Sequence, residues 1–266
     1  MAARIITITS GKGGVGKTTA TANIGVALAE RGKKITCIDS DIGLRNLDIV
    51  LGLENRIVYD LVDVIEGHCK ITQAMIRDKR FENLYLIPAA QTRDKNSVTP
   101  GEMIDVCESI RNDMDFILID SPAGIEGGFK NAIAPADEAI VITNPDVSAV
   151  RDADRIIGII EASEKGPAQL ILNRVNPEMI KRGDMMEAED VLELLAIKLL
   201  GVVPDDENVL ISTNKGQPVV LNPKSRAGQA FKNIAARITG NEVPFIDLSQ
   251  KEDFISRISK MFNKES

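Results

Sequence analysis

The chain alternates short apolar runs with longer stretches of helical period. Residues 5–8, 34–39, 84–88, Phe116–Asp120, Glu138–Thr143, 169–172 and 201–203 read as strands. Several are apolar nearly throughout rather than alternating, the pattern of strands buried on both faces. Between them, 18–31, 59–65, 102–111, Val147–Ala162, 187–195 and 225–238 carry helical spacing. Residues 102–111, for example, place Met103, Ile104, Val106, Cys107 and Ile110 on one side. Buried strands alternating with helices predict an α/β fold: a mostly parallel central sheet with helices on both faces, three layers in all. Residues 42–48 and 91–99 read as loops. No Gly/Ser/Pro linker or shift of composition divides the body, so one domain is expected over 1–240, then a connector over 241–250 and a separate last stretch over 251–266.

That last stretch has its own pattern. Wound as a helix at about 100° per residue, Phe254, Ile255, Ile258, Met261 and Phe262 fall within an arc of about 120°. Arg257, Lys260 and Lys264 lie beside the arc. Two readings fit: a terminal helix docked on the body, or an amphipathic helix lying in a membrane interface. The polar connector, the terminal position and the cations gathered in an otherwise acidic chain favour the membrane. A segment this short is marginal as an isolated helix, so folding on the lipid is expected.

Composition narrows the classes. A net charge of −7 makes non-specific nucleic-acid binding an unexpected default, and 3% aromatic content speaks against a base-stacking surface. Cys37, Cys69 and Cys107 are far apart with no C-x-x-C, which suits a reducing cytoplasm and gives neither a disulfide framework nor a Cys₄ metal site. His68 is the one histidine and reads as a surface loop residue, so Ser-His and zinc chemistry lack their parts. The first strand starts almost at once, leaving no room for a leader, and no apolar run reaches the length of about 18 residues that a membrane span needs.

The chemistry concentrates after the first strand. Gly11-Lys12-Gly13-Gly14-Val15-Gly16-Lys17-Thr18-Thr19 fits G-x-x-x-x-G-K-[ST] between a strand and a helix, the context of a phosphate-binding loop. Its glycines let backbone N–H groups form an anion nest with a helix N-terminus behind them. Lys17 is placed for the β- and γ-phosphates of ATP, and Thr18 for Mg²⁺. Asp120 closes an apolar strand as a Mg²⁺-side acid does, and Asp41, just past the second strand, can reach Mg²⁺ or the γ-phosphate. Lys12 has no easy place beside Lys17 because like charges repel. A solvated loop lysine is one reading; a cation that completes a partner's site across a dimer is the other.

Lys-Gly-Gly-Val-Gly-Lys-Thr-Thr at 12–19 resembles the deviant Walker A motif of the family containing MinD, ParA-type partition ATPases and nitrogenase iron protein. The resemblance continues, toward the MinD members, in Asp41-Ile42-Gly43-Leu44-Arg45-Asn46-Leu47-Asp48, Asp120-Ser121-Pro122-Ala123-Gly124-Ile125-Glu126, Thr143-Asn144-Pro145, Val150-Arg151-Asp152, Arg182-Gly183-Asp184-Met185 and Gly201-Val202-Val203-Pro204, and so covers nearly the whole chain. It implies a P-loop ATPase that dimerises on ATP, with Lys12 contacting nucleotide across the dimer. It implies Asn173, Arg174, Pro204 and Asp205 near the adenine, Asn46 in a nucleotide-responsive switch, and Asp152 on the surface receiving MinC and MinE. It implies a membrane-targeting sequence at the C-terminus, here with Phe254, Ile255, Arg257, Ile258, Lys260, Met261 and Phe262 on anionic lipid. The expected location is cytoplasmic, reversibly on the inner face of the cell membrane. A ParA-type ATPase acting on DNA is the alternative; the charge sign and the tail count against it. A nitrogenase-type role lacks a cysteine after the Asp120 strand.

Overall fold

The computed structural model describes residues 2–94 and 97–248. In chain order the elements are β1 (Arg4–Thr9), α1 (Lys17–Glu30), β2 (Ile35–Asp39), α2 (Leu47–Leu51), α3 (Leu61–Ile65), α4 (Ile71–Ala74), β3 (Ile76–Arg77) and β4 (Leu84–Ile87). There follow α5 (Pro100–Ile110), β5 (Phe116–Asp120), α6 (Gly127–Ile133), β6 (Glu138–Thr143), α7 (Val147–Ala162), β7 (Ala168–Val175), α8 (Pro177–Lys181), α9 (Ala188–Leu195), β8 (Lys198–Pro204), α10 (Glu207–Thr213) and α11 (Arg226–Ile238). The strands form one sheet in the order β3-β4-β2-β5-β1-β6-β7-β8, parallel except for the β3–β4 pair.

The expected three layers are present. Alternate residues of each strand feed opposite faces. Ile6 and Ile8 of β1, Cys37 of β2, Leu118 of β5 and Ile140 of β6 pack with α1 and α11 on one face. Ile5, Ile38, Ile117 and Ile119 pack with α3 and α5 on the other, and Val141, Leu170 and Leu172 with α6, α7 and α9. Cys37 is thus a small core residue, and burial pushes its thiol pKa up. Every residue of α1 from Ala20 to Ala29 is buried, because α1 is enclosed by the sheet, α2 and α11. Full burial of Ile24 and Leu28 contributes about 1.5–3 kcal/mol each.

Several expectations change in detail. The loop expected over 42–48 ends early, because α2 starts at Leu47. The strand expected over 169–172 runs on to Val175, and that over 201–203 starts at Lys198. Ile104 does not join the buried face of α5; Met103, Val106, Cys107 and Ile110 do. Residues 241–248 carry no helix or strand. They nevertheless lie on the body, with Ile246 and Leu248 against the core. The amphipathic stretch, with Phe254, Ile255, Arg257, Ile258, Lys260, Met261 and Phe262, lies outside the described residues. Among those described, no helix is long and apolar enough to cross a membrane.

Topology fixes where chemistry is possible. From β1 the chain moves outward to β2 on one side, and later through β6, β7 and β8 on the other. The crevice at the carboxyl ends of β1, β2 and β5 is therefore a topological switch point, where open α/β sheets bind ligands.

Candidate functional site

The loop from Ser10 to Gly16 leaves β1 at this crevice and delivers the chain into α1. Gly16, at the N-cap of α1, has φ 104°, a left-handed conformation in which a side chain is strained. A Cβ there would stand 2.4 Å from Nδ2 of Asn173, whose amide donates to the Val15 carbonyl at 2.7 Å. At the loop's other end a Cβ on Gly11 would stand 2.2 Å from the Asp152 carbonyl oxygen. The loop is thereby wedged between β7 and α7. Above Gly13 and Gly14 there is open space. No side chain caps the α1 N-terminus and its first turn holds no acid, so its positive end faces the concavity unneutralised.

Behind the loop, Lys17 is buried. Burial lowers its pKa, against the attraction of Asp120 and Asp41. Asp120 ends β5 directly beside Asp39 at the end of β2. Burial first, then the neighbouring Asp39 charge, pushes the Asp120 pKa up to about 8, against a hydrogen bond from Thr18 and the charge of Lys17. Thr21 adds a contact at 3.4 Å. Asp39 is also raised by burial, to about 6, although it accepts backbone N–H bonds from Asp41 (3.0 Å), Asn46 (3.0 Å) and Leu47 (3.1 Å). These bonds make Asp39 the post around which the 40–46 loop turns. Sequence reading singled out Asp41 and passed over this role; an acid closing a strand immediately before a loop and a helix was the available signal.

Lys17, Thr18, Asp41 and Asp120 stand together at this crevice. Among the described residues no three His, Cys, Asp or Glu side chains close on one point. A cation here would not sit in a protein cage. Mg²⁺ is commonly bound through one or two carboxylate or hydroxyl oxygens, with water and phosphate completing the shell. The donor set fits that mode: a threonine hydroxyl and a buried acid lacking full compensation.

Lys12 stands apart from this pocket. It is about half exposed, with Nζ 3.1 Å from the Ser148 hydroxyl and 4.0 Å from Asp146, at the start of α7. Asn46 is exposed at the N-cap of α2. Asp152 is half-buried on α7, its backbone against Gly11. Loop and α7 therefore meet at the rim, through Lys12 and Gly11, and Asn46 stands at the start of α2, its N–H held by Asp39.

On the other side lies a cleft of about 440 Å³, lined in part by Gly16, Thr19, Asn173, Arg174, Pro204 and Asp205. That volume is in the range of small-molecule sites. The register of β7 against β8 shifts between Leu172 and Val175, and Arg174 has φ 55°. A bulge of this kind re-aims side chains beside a site. The cleft also includes Asp206, which sequence reading missed. Its carboxylate accepts from Asn208 N (2.9 Å), Ser225 Oγ (2.6 Å) and Ala227 N (3.1 Å), joining the starts of α10 and α11. Burial raises its pKa, but these hydrogen bonds outweigh burial and hold it below the usual value.

The profile described as the CobQ/CobB/MinD/ParA nucleotide binding domain matches residues 6–219. The septum site-determining protein MinD of Synechocystis is 52% identical over 259 residues, 97% of each chain. Among solved structures, the MinC:MinD cell division protein complex of Aquifex aeolicus superposes with a TM-score of 0.85 at 47% identity, covering 92% of this chain and 99% of that one. MinD of Pyrococcus horikoshii, complexed with Mg-ADP, gives 0.81 at 35% identity, covering 89% and 96%.

Proposed function

Because the chain belongs to the CobQ/CobB/MinD/ParA nucleotide-binding family, we propose that it hydrolyses ATP as a nucleotide-dependent homodimer and helps place the division septum. In this reading it recruits MinC to the membrane, and MinE-stimulated hydrolysis releases it. The observation that carries the reading is the placement of two lysines of one loop: Lys17 buried within the field of Asp120 and Asp41, and Lys12 outside that pocket on the rim.

The open space over Gly13 and Gly14 takes the phosphates of ATP, and Gly11, Val15, Gly16 and Thr19 complete the loop that shapes it. Lys17 holds the β- and γ-phosphates, Thr18 and Asp120 stand on the metal side, and Asp41 orients the attacking water. Mg²⁺, when bound, offsets charge on the transferring phosphoryl group. Water adds to the γ-phosphorus, the bond to the β–γ bridging oxygen breaks, and ADP carries away that electron pair. The adenine goes to the cleft of Asn173, Arg174, Pro204 and Asp205. Lys12 reaches across the dimer, where its charge offsets the one that develops. Asn46 and Asp152 form the partner-facing surface.

The tail converts dimerisation into attachment. Five apolar side chains contribute at most about 1.5–3 kcal/mol each, and each cation about 1 kcal/mol near anionic lipid. Ordering the segment offsets much of that, so one tail binds weakly. Two on one dimer gain about 10²–10⁴ in avidity. Resting location is then the cytoplasm, with reversible residence on the inner membrane face.

Co-sedimentation with anionic liposomes, with ATP or ADP and with or without residues 254–266, tests this. Pelleting is expected only with ATP and an intact tail. Lys12→Ala should still bind nucleotide but lose stimulated turnover. Nucleotide-independent pelleting, or preferential ATP-dependent binding to DNA, would sink the reading.

A further inference from the structure

Arg237, in the last turn of α11, sits far from the nucleotide crevice and uses its whole guanidinium. Nη1 donates to the Leu200 carbonyl of the edge strand β8 at 2.9 Å. Nη2 donates to the Pro244 carbonyl at 2.8 Å and the Val243 carbonyl at 3.1 Å, and Nε to Val243 at 3.3 Å. The same group lies over the Phe245 ring, 4.2 Å from its centroid. A fork that bonds three carbonyls and stacks on a ring is a fixed geometry that lysine cannot reproduce.

Contacts on either side continue the pattern. Arg31 donates to the Asn241 side chain at 2.6 Å, and Arg226 to the Asp247 carbonyl. Ile246 and Leu248 pack on the core. The segment after α11 is thus a strap drawn down over the body as far as Leu248, the last described residue. The first apolar residue of the amphipathic tail, Phe254, follows six residues later, whereas it is sixteen residues beyond Ile238, where α11 ends.

We propose that Arg237 is a positioning residue for surface attachment: by clasping 243–245 to β8 it holds the strap down and shortens the tether on which each tail reaches a lipid surface. The proposal rests on the membrane reading above. Six residues span at most about 20 Å, and sixteen about 55 Å. Once a tether spans to its site, effective concentration falls roughly as the −3/2 power of its length; with the six-residue tether already spanning, freeing the strap back to Ile238 lowers it about fourfold. The clasp thereby acts on the two-tailed dimer and leaves a single tail unaffected.

The test uses the full chain, Arg237→Gln, and vesicles containing phosphatidylglycerol. Amide exchange in 241–248 should accelerate by roughly tenfold or more. Affinity for the vesicles with ATP should fall about fourfold, with affinity in ADP unchanged. A second variant, with a Gly/Ser insertion of about ten residues after Leu248, keeps the clasp and should show the same ATP-specific loss without faster exchange. It decides the matter if Arg237→Gln fails to fold. Wild-type affinity in the insertion variant, or in Arg237→Gln once its strap exchanges freely, overturns the tether and leaves the membrane reading intact. Unchanged exchange in Arg237→Gln overturns the clasp. Failure of the wild-type chain itself to bind vesicles with ATP removes both.

Discussion

Replacing Asp39 separates two opposing effects that the structure places on one carboxylate. In the nucleotide-free protein the carboxylate is wholly buried beside Asp120, and its pKa is raised from 3.8 to about 6. At about 1.4 kcal/mol per pH unit, keeping it ionised at neutral pH costs about 3 kcal/mol. The same oxygens satisfy three backbone N–H groups in the 41–47 turn. Leaving a buried donor unpaired costs about 1–3 kcal/mol. Asp39→Asn removes the charge and keeps one acceptor, which can serve both Asn46 and Leu47. Asp39→Ala removes the charge and orphans all three donors. The Asn variant should therefore match or exceed wild type at pH 7, and the Ala variant should fall about 2–4 kcal/mol below the Asn variant. The sign with pH is fixed: a raised carboxylate pKa means wild type loses stability from this group as pH climbs from about 4 to about 6, so the wild-type-to-Asn difference closes at low pH. Urea unfolding of the empty protein at several pH values gives the three free energies. Amide exchange at Asn46 and Leu47 reports the turn. Equal stability of the Asn and Ala variants, within about 0.5 kcal/mol, would refute the account, because the N–H groups would then need no acceptor.

Two further expectations follow from other carboxylates. Burial and the neighbouring Asp39 charge push the Asp120 pKa up, so Mg²⁺·nucleotide binding near neutral pH should release a proton. Calorimetry in buffers of different ionisation enthalpy reads that proton, and Asp120→Asn should abolish its release. Asp206 has the opposite sign. Its depressed pKa gives stability that is fully present above about 3.9 and lost as pH falls through the folded value. Asp206→Ala should cost about 1–2 kcal/mol at pH 7, through lost capping of α10 and α11, and less at low pH, where the neutral acid caps more weakly; acid titration of unfolding by circular dichroism reads the narrowing difference.

The long elements were legible because each repeats its period enough times to be read. Seven of the eight strands of the described sheet and the helices α1, α5, α7, α9 and α11 fall where hydrophobic spacing puts them, within a few residues. The missed pieces are short. β3 has two residues, and its strand character comes from pairing antiparallel with β4. α6 opens on Gly127-Gly128, weak helix formers, and is held by burial of Phe129 and Ile133. Neither completes enough periods for a pattern to show.

By itself the sequence determined that a phosphate loop joins a buried strand to a buried helix, that Asp41 and Asp120 stand at strand ends, and that residues 254–264 carry a basic amphipathic pattern. These are local facts, carried by residues adjacent along the backbone. Only the tertiary structure decided which acid is the turn's post, that Asn173 braces the loop through Val15, that Asp206 ties two helices, and that Arg237 fastens a strap to the edge strand. Asn173 and Val15, and Arg237 and Leu200, are far apart in sequence, whereas Asp39 holds N–H groups two to eight residues on. Most of these partners are backbone carbonyls and N–H groups, present at nearly every residue and leaving no mark on the order of side chains; Asp206 also accepts from the Ser225 hydroxyl. What selects among them is the sheet order, which brings β2 beside β5, the end of β7 to the loop and α11 to β8.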